Sequence, residues 1–167
     1  MSNLKRHSLN IYKFGSKFTT LTLLSALIFG CGTTQPKRSS GVLFSFITPQ
    51  IRISDTGFIH SYTNGTHVQI YNSGTLTLNL KLAQNICINS ACMSRKSFNI
   101  KYLNSPHYNE ILDDIITQKA IYDSANLIQT DCGFTQDFSS FRYEVCNKTA
   151  KFIDSKNNIK IIIRELQ

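Results

Sequence analysis

GFIHSYTNGTHVQIYNSGTLTLNLKL, residues 57–82, decides how the rest of the chain is read. Two runs of alternating residues flank Asn64-Gly65, the strongest short hairpin signal, because such residues tolerate the positive φ of a tight type I′ turn. A turn there puts Ile59, Val68 and Ile70 on one face and Phe58, His60, Tyr62, His67, Gln69 and Tyr71 on the other. After Asn72-Ser73-Gly74 the alternation is unbroken: Leu76, Leu78, Leu80 and Leu82 point one way, and Thr75, Thr77, Asn79 and Lys81 the other. That is the pattern of a strand with one buried face. The hairpin is different, with aliphatics on one side and Phe58, Tyr62 and Tyr71 on the other. Either some aromatics are scattered on the surface, or one face lines a groove that holds something apolar.

Working outward, the flanks continue the strand reading. Residues 42–48 are apolar and β-branched up to Pro49, and Ile51 and Ile53 alternate with polar neighbours. In Ile86-Cys87-Ile88-Asn89-Ser90-Ala91-Cys92, a two-residue turn at Asn89-Ser90 sets Cys87 opposite Cys92, at a spacing a disulfide spans. The period then changes. Ser105-Pro106 offers a capping side chain followed by proline at the first helical position. Tyr108, Ile111, Leu112, Ile115 and Ile116 then follow one helical face, while Glu110, Asp113 and Asp114 face away. A shorter helix is expected over residues 94–103. Strands return at 120–122, 134–138, 141–146, 150–153 and 159–166. Strands, then helices, then strands predict an α+β domain: an antiparallel sheet or half-barrel with one or two helices packed on one face.

The N-terminus reads as an address. Residues 1–17 carry Lys5, Arg6, Lys13 and Lys17 and no acid; residues 18–29 are apolar or hydroxylated, and Gly30-Cys31 follows. This is the layout of a signal peptide, with an apolar run shorter than the roughly 20 residues of a spanning helix. Ile28-Phe29-Gly30-Cys31 resembles the bacterial lipobox, with Phe29 where a small residue is usual. The expected organisation is a lipoprotein signal peptide over 1–30, lipidated Cys31 and a flexible tether over 31–41, and one globular domain over 42–167. The tether GTTQPKRSSG, residues 32–41, contains only polar residues, Gly and Pro. An Asp directly after the cysteine favours inner-membrane retention; Gly32 stands there, so the outer membrane is expected.

The net charge of +8 overstates the mature chain. Four of the 18 Lys and Arg residues and none of the ten acids precede Cys31, leaving 14 against ten. That excess suits an anionic lipid surface and is too weak to argue for nucleic acid. Beyond Cys31 the cysteines are Cys87, Cys92, Cys132 and Cys146, and an even count in an exported chain suggests two disulfides. Pairing of neighbours is expected. For Cys132 with Cys146, a turn at Ser139-Ser140 puts Phe134, Phe138, Phe141, Tyr143 and Val145 on one face but leaves Cys132 opposite Asn147, so a bulge at Gly133 is needed to bring the sulfurs together.

Catalytic motifs are missing: there is no G-x-S-x-G, H-E-x-x-H or P-loop. No catalytic residue, cofactor or metal is assigned. His60 and His67 fall diagonally on one hairpin face, but without a third ligand nearby they read as surface or groove histidines. Asp113 and Asp114 are adjacent on a helix and read as a solvated face. Asn64-Gly65-Thr66 and Asn147-Lys148-Thr149 match a glycosylation sequon but read as turn residues.

The order of elements resembles a shortened member of the LolB family of outer-membrane lipoprotein receptors. The resemblance runs over residues 42–167: the meander at 57–82, the helix ILDDIITQKAIY at 111–122, the late strand Arg142-Tyr143-Glu144-Val145, and the closing hairpin KTAKFIDSKNNIKIIIREL. It implies a lipid-anchored half-barrel with an apolar cavity that accepts an acyl chain or a lipoprotein, without catalysis. The lining would be drawn from Phe58, Tyr62, Tyr71, Leu76, Leu78, Leu80, Ile111, Leu112 and Ile115. The exposed apolar loop of that family is here reduced to Asn72-Ser73-Gly74. The alternative expectation is an envelope interaction module or surface-exposed lipoprotein with no ligand cavity.

Overall fold

The computed structural model describes residues 35–166; the expected signal peptide and Cys31 lie outside the described residues. Eleven strands form one antiparallel sheet: β1 (Arg38–Ile47), β2 (Arg52–Tyr62), β3 (Gly65–Asn72), β4 (Thr75–Leu82), β5 (Ile86–Ile88), β6 (Ala91–Met93), β7 (Leu127–Thr130), β8 (Gly133–Asp137), β9 (Phe141–Cys146), β10 (Thr149–Asp154) and β11 (Ile159–Glu165). Their order across the sheet is β6-β5-β4-β3-β2-β1-β11-β10-β9-β8-β7. The chain meanders outward from β1 to one edge, crosses through two helices to the other edge, and meanders back until β11 pairs with β1.

Among the described residues the helices are small. α1 (Arg95–Tyr102) has eight residues and α2 (Ile111–Ile116) has six. The expected α+β class is therefore corrected: the fold is predominantly β. The error has a local cause. Ser105-Pro106 starts no helix, because the buried Asn99 side chain donates to the carbonyls of His107 (3.3 Å) and Tyr108 (2.9 Å). The His107 carbonyl takes its partner from that side chain, and the Tyr108 carbonyl shares its own between Asn99 and the Ile111 amide (3.3 Å), at the entry to α2. The helix expected to be the lesser one is the longer, started by Ser94, whose hydroxyl accepts from the Ser97 amide.

Other boundaries also move. β1 begins at Arg38, so the last four residues assigned to the tether belong to the sheet. β2 is eleven residues long and supplies ladder partners for them, and Arg38 pairs with Glu165 of β11. Polar composition had hidden a strand whose partners come from elsewhere. The strand expected at 120–122 is replaced by a turn at Tyr122–Ser124, and β7 appears where no strand was expected.

Both disulfides join the expected neighbours. Cys87 lies directly opposite Cys92, and the Cα atoms of Cys132 and Cys146 are 4.8 Å apart. No bulge is needed for the second. Cys132 sits in the turn before β8, outside the strand alternation, while Gly133 pairs regularly with Cys146. A Cβ on Gly133 would come within 2.0 Å of the Val145 carbonyl oxygen, so the close approach requires glycine.

The core lies on the inner face of the sheet. Val42, Phe44, Phe46, Val68, Ile70, Leu80, Ile161 and Ile163 meet Phe98, Leu103, Ile111, Leu112 and Ile115 from the helical crossing. The helical segment packs over the strands and buries their shared apolar face.

Candidate functional site on the outer face of the hairpin

The hairpin β2–β3 turns at Thr63-Asn64, one residue earlier than the sequence suggests. The pairs are Tyr62 with Gly65, Ser61 with Thr66 and His60 with His67. This shifts the register by two residues, and because side chains alternate with period two the faces stay as expected. Ile59, Val68 and Ile70 are buried. Gly65 opens β3 because a Cβ there would lie 2.1 Å from the Leu82 carbonyl oxygen.

The next strand departs from its pattern. Ile70 pairs with Leu78 but Tyr71 pairs with Leu76, leaving Thr77 as the extra residue of a bulge. The Thr77 hydroxyl donates to the Ile70 carbonyl (3.1 Å). One inserted residue reverses the alternation beyond it, so Leu76 joins Tyr71 on the outer face and is 42% exposed. Perfect alternation in 75–82 gives no warning of this.

The outer face therefore carries a ladder of rings. Phe58, 49% exposed, stacks on His60 at 6.0 Å between ring centres and meets Tyr71 edge-on at 6.3 Å. His60 and His67 are 6.2 Å apart. Polar groups hold the histidines. Ser39 Oγ is 2.8 Å from His60 Nδ1. His67 Nε2 donates to Asn79 Oδ1. Asn79 is itself fixed by Asn89, whose side chain accepts from the Asn79 amide (3.0 Å) and whose amide donates to the Asn79 carbonyl (2.7 Å). Asn89 belongs to the turn closed by Cys87–Cys92. Sequence reasoning placed the histidines and rings on this face but missed Ser39 and Asn79, which reach it from neighbouring strands.

The nine residues expected to line a cavity do not share one surface. Leu78, Leu80, Ile111, Leu112 and Ile115 are buried together in the core. Phe58, Tyr62, Tyr71 and Leu76 lie on the opposite side of the sheet. Two open pockets are lined by other residues. One, of about 420 Å³, lies between the β1–β2 and β10–β11 turns beside Thr48, Arg52, Asn158 and Lys160; the other, of about 80 Å³, lies beside Arg38, Ser61 and Thr117. Among the described residues no group of three or more His, Cys, Asp or Glu is placed to hold a metal ion.

A second polar cluster is internal. His107 Nδ1 and Tyr122 Oη are 2.6 Å apart, and Tyr108 donates to Asp114 (2.8 Å). Burial pushes the His107 imidazole below its ordinary value of 6.5, against the pull of Asp154. Burial, then the bond to Asp114, raises the Tyr108 phenol. Gln136, fully buried, accepts from the Ile121 amide and donates to the carbonyls of Ile121 and Ala125. Tyr122, Asp123 and Ser124 all have left-handed backbones, with φ of 49°, 52° and 65°.

No family model matches the chain, and no curated protein matches it. The class is thus defined by the structure alone: a predominantly β domain with two disulfides and a small helical crossing packed on its inner face.

Proposed function

We propose that the chain is an envelope lipoprotein, lipidated on Cys31 and held at the outer membrane, whose β domain docks non-catalytically on another envelope component. The observation that carries this reading is the distribution of apolar surface. The inner face of the sheet is packed against the helical crossing, whereas Phe58 and Leu76 are exposed beside Tyr71 on the outer face. Contiguous exposed apolar side chains support an interaction surface; Ile100 and Ile128 are also exposed, away from this hairpin. Cys31 precedes Arg38 by seven residues, so a lipid there holds β1 within roughly 25 Å of the bilayer. The acyl-chain reading has less support, because five of its nine lining residues are core residues packed on one another.

Two experiments test this. Cys31→Ser should release the domain from membranes in fractionated cells; unchanged sedimentation with membranes would sink the anchor. A photo-crosslinker at position 58 should capture one stoichiometric envelope protein, and Leu76→Ser should weaken that capture with the thermal midpoint unchanged. A stoichiometric, non-covalently held acyl chain found by native mass spectrometry of the Cys31→Ser protein would overturn the docking reading in favour of a cavity.

A further inference from the structure

We propose that His60 and His67 form a two-imidazole binding site for a borderline divalent cation, Zn²⁺, Ni²⁺ or Cu²⁺, on the outer face of the hairpin. The two residues are direct cross-strand partners, not diagonal neighbours. Their ring centres are 6.2 Å apart. At a tetrahedral or octahedral centre, a cation about 2.0–2.1 Å from one nitrogen of each ring sets the ring centres roughly 4.5–5.3 Å apart, so the rings must approach by about 1–1.5 Å to close the site.

The surrounding hydrogen bonds prepare the rings for ligation. Asn79 Oδ1 can only accept, so His67 Nε2 carries the proton and Nδ1 keeps its lone pair. Ser39 Oγ can accept from His60 Nδ1–H, and in that tautomer Nε2 keeps its lone pair as the ligand. Metal-bound histidines typically donate their other ring N–H to a carboxylate, a carbonyl or water, which fixes both tautomer and ring orientation, and Asn79 and Ser39 offer comparable oxygen acceptors. Asn79 is in turn clamped by Asn89 in the disulfide-closed turn, so the support is rigid. Both histidines are partly exposed, leaving room for water to complete the coordination. Lys81 pairs with His67 on the adjacent strand and its charge opposes the cation, so the site is a weak one.

The test is titration of untagged protein with ZnCl₂, NiCl₂ or CuCl₂ alone, followed by calorimetry. The expected result is one ion per chain, with binding lost in His67→Ala and in His60→Ala. Asn79→Ala should weaken binding about tenfold, as loss of a supporting hydrogen bond does at metal sites. In long-range ¹H–¹⁵N spectra with diamagnetic Zn²⁺, His60 Nε2 and His67 Nδ1 should shift while His107 does not. If an alanine variant fails to fold, His67→Gln serves in its place. No binding by the wild type, or equal binding by the histidine variants, overturns the proposal.

Discussion

Two regions beneath the same sheet are built on different principles. Under β1–β5 the core is apolar and dominated by aliphatics with Phe44 and Phe46, each fixed by strand alternation. Under β8–β10 it is aromatic and wired with polar groups: His107 to Tyr122, Tyr108 to Asp114, and Gln136 to the backbone at Ile121 and Ala125. The rings of Phe138, Phe141 and Phe152 surround these groups at 4.5–5.4 Å from one another or from Tyr122. The first region is stabilised by area removed from water. The second also depends on buried polar groups finding partners, and His107 Nε2 and Tyr143 Oη are buried there without one. Its stability is specific and easily lost.

The comparison can be broken from either side. The largest effect should come from Leu80→Ala in the aliphatic region, a buried truncation that costs about 2–5 kcal/mol, read as a lowered denaturant midpoint. Next is Gln136→Leu, nearly the same size but apolar. It strips partners from buried backbone groups and should cost about 2–3 kcal/mol; a change under half of that would mean the polar wiring matters less than packing.

Acid should separate the regions without mutation. The folded-state pKa of His107 is depressed, so the unfolded chain binds this proton more readily. The contribution is present above pH 6.5 and is lost as pH falls from there towards the lowered value. The wild type should therefore lose more stability than His107→Gln between pH 7.5 and 5.5, and parallel curves would refute this. The smallest effect is expected at Ser124, where φ is 65°. Ser124→Gly should raise stability by up to about 1 kcal/mol by relieving a left-handed backbone, provided the turn keeps its shape.

The same division governs what the sequence reveals. Alternation placed Ile59, Val68, Ile70, Leu78 and Leu80 correctly on the buried face, and the Asn89-Ser90 turn gave the first disulfide. Even a turn misplaced by one residue left the hairpin faces intact, because the register error was even. Alternation failed at Leu76, since a bulge is decided by how two strands fit, not by either one alone. Helical periodicity at residues 105–110 failed because Asn99 supplies hydrogen bonds that no local pattern encodes. The left-handed turn at Tyr122 was likewise invisible, being held by Gln136 from a distant strand. Of the candidate site, the rings and histidines were legible, but the residues orienting them were not.

The position of β1 has a mechanical consequence. The strand nearest the expected lipid is not at an edge but in the middle of the sheet, paired along its length with β2 on one side and over Val42–Ile47 with β11 on the other. A pull on that strand along its own axis would stress two hydrogen-bonded ladders at once, in shear. The domain should resist being drawn out from its attachment point far better than from β6 or β7, and a membrane-tethered body exposed to drag benefits most from strength at that place.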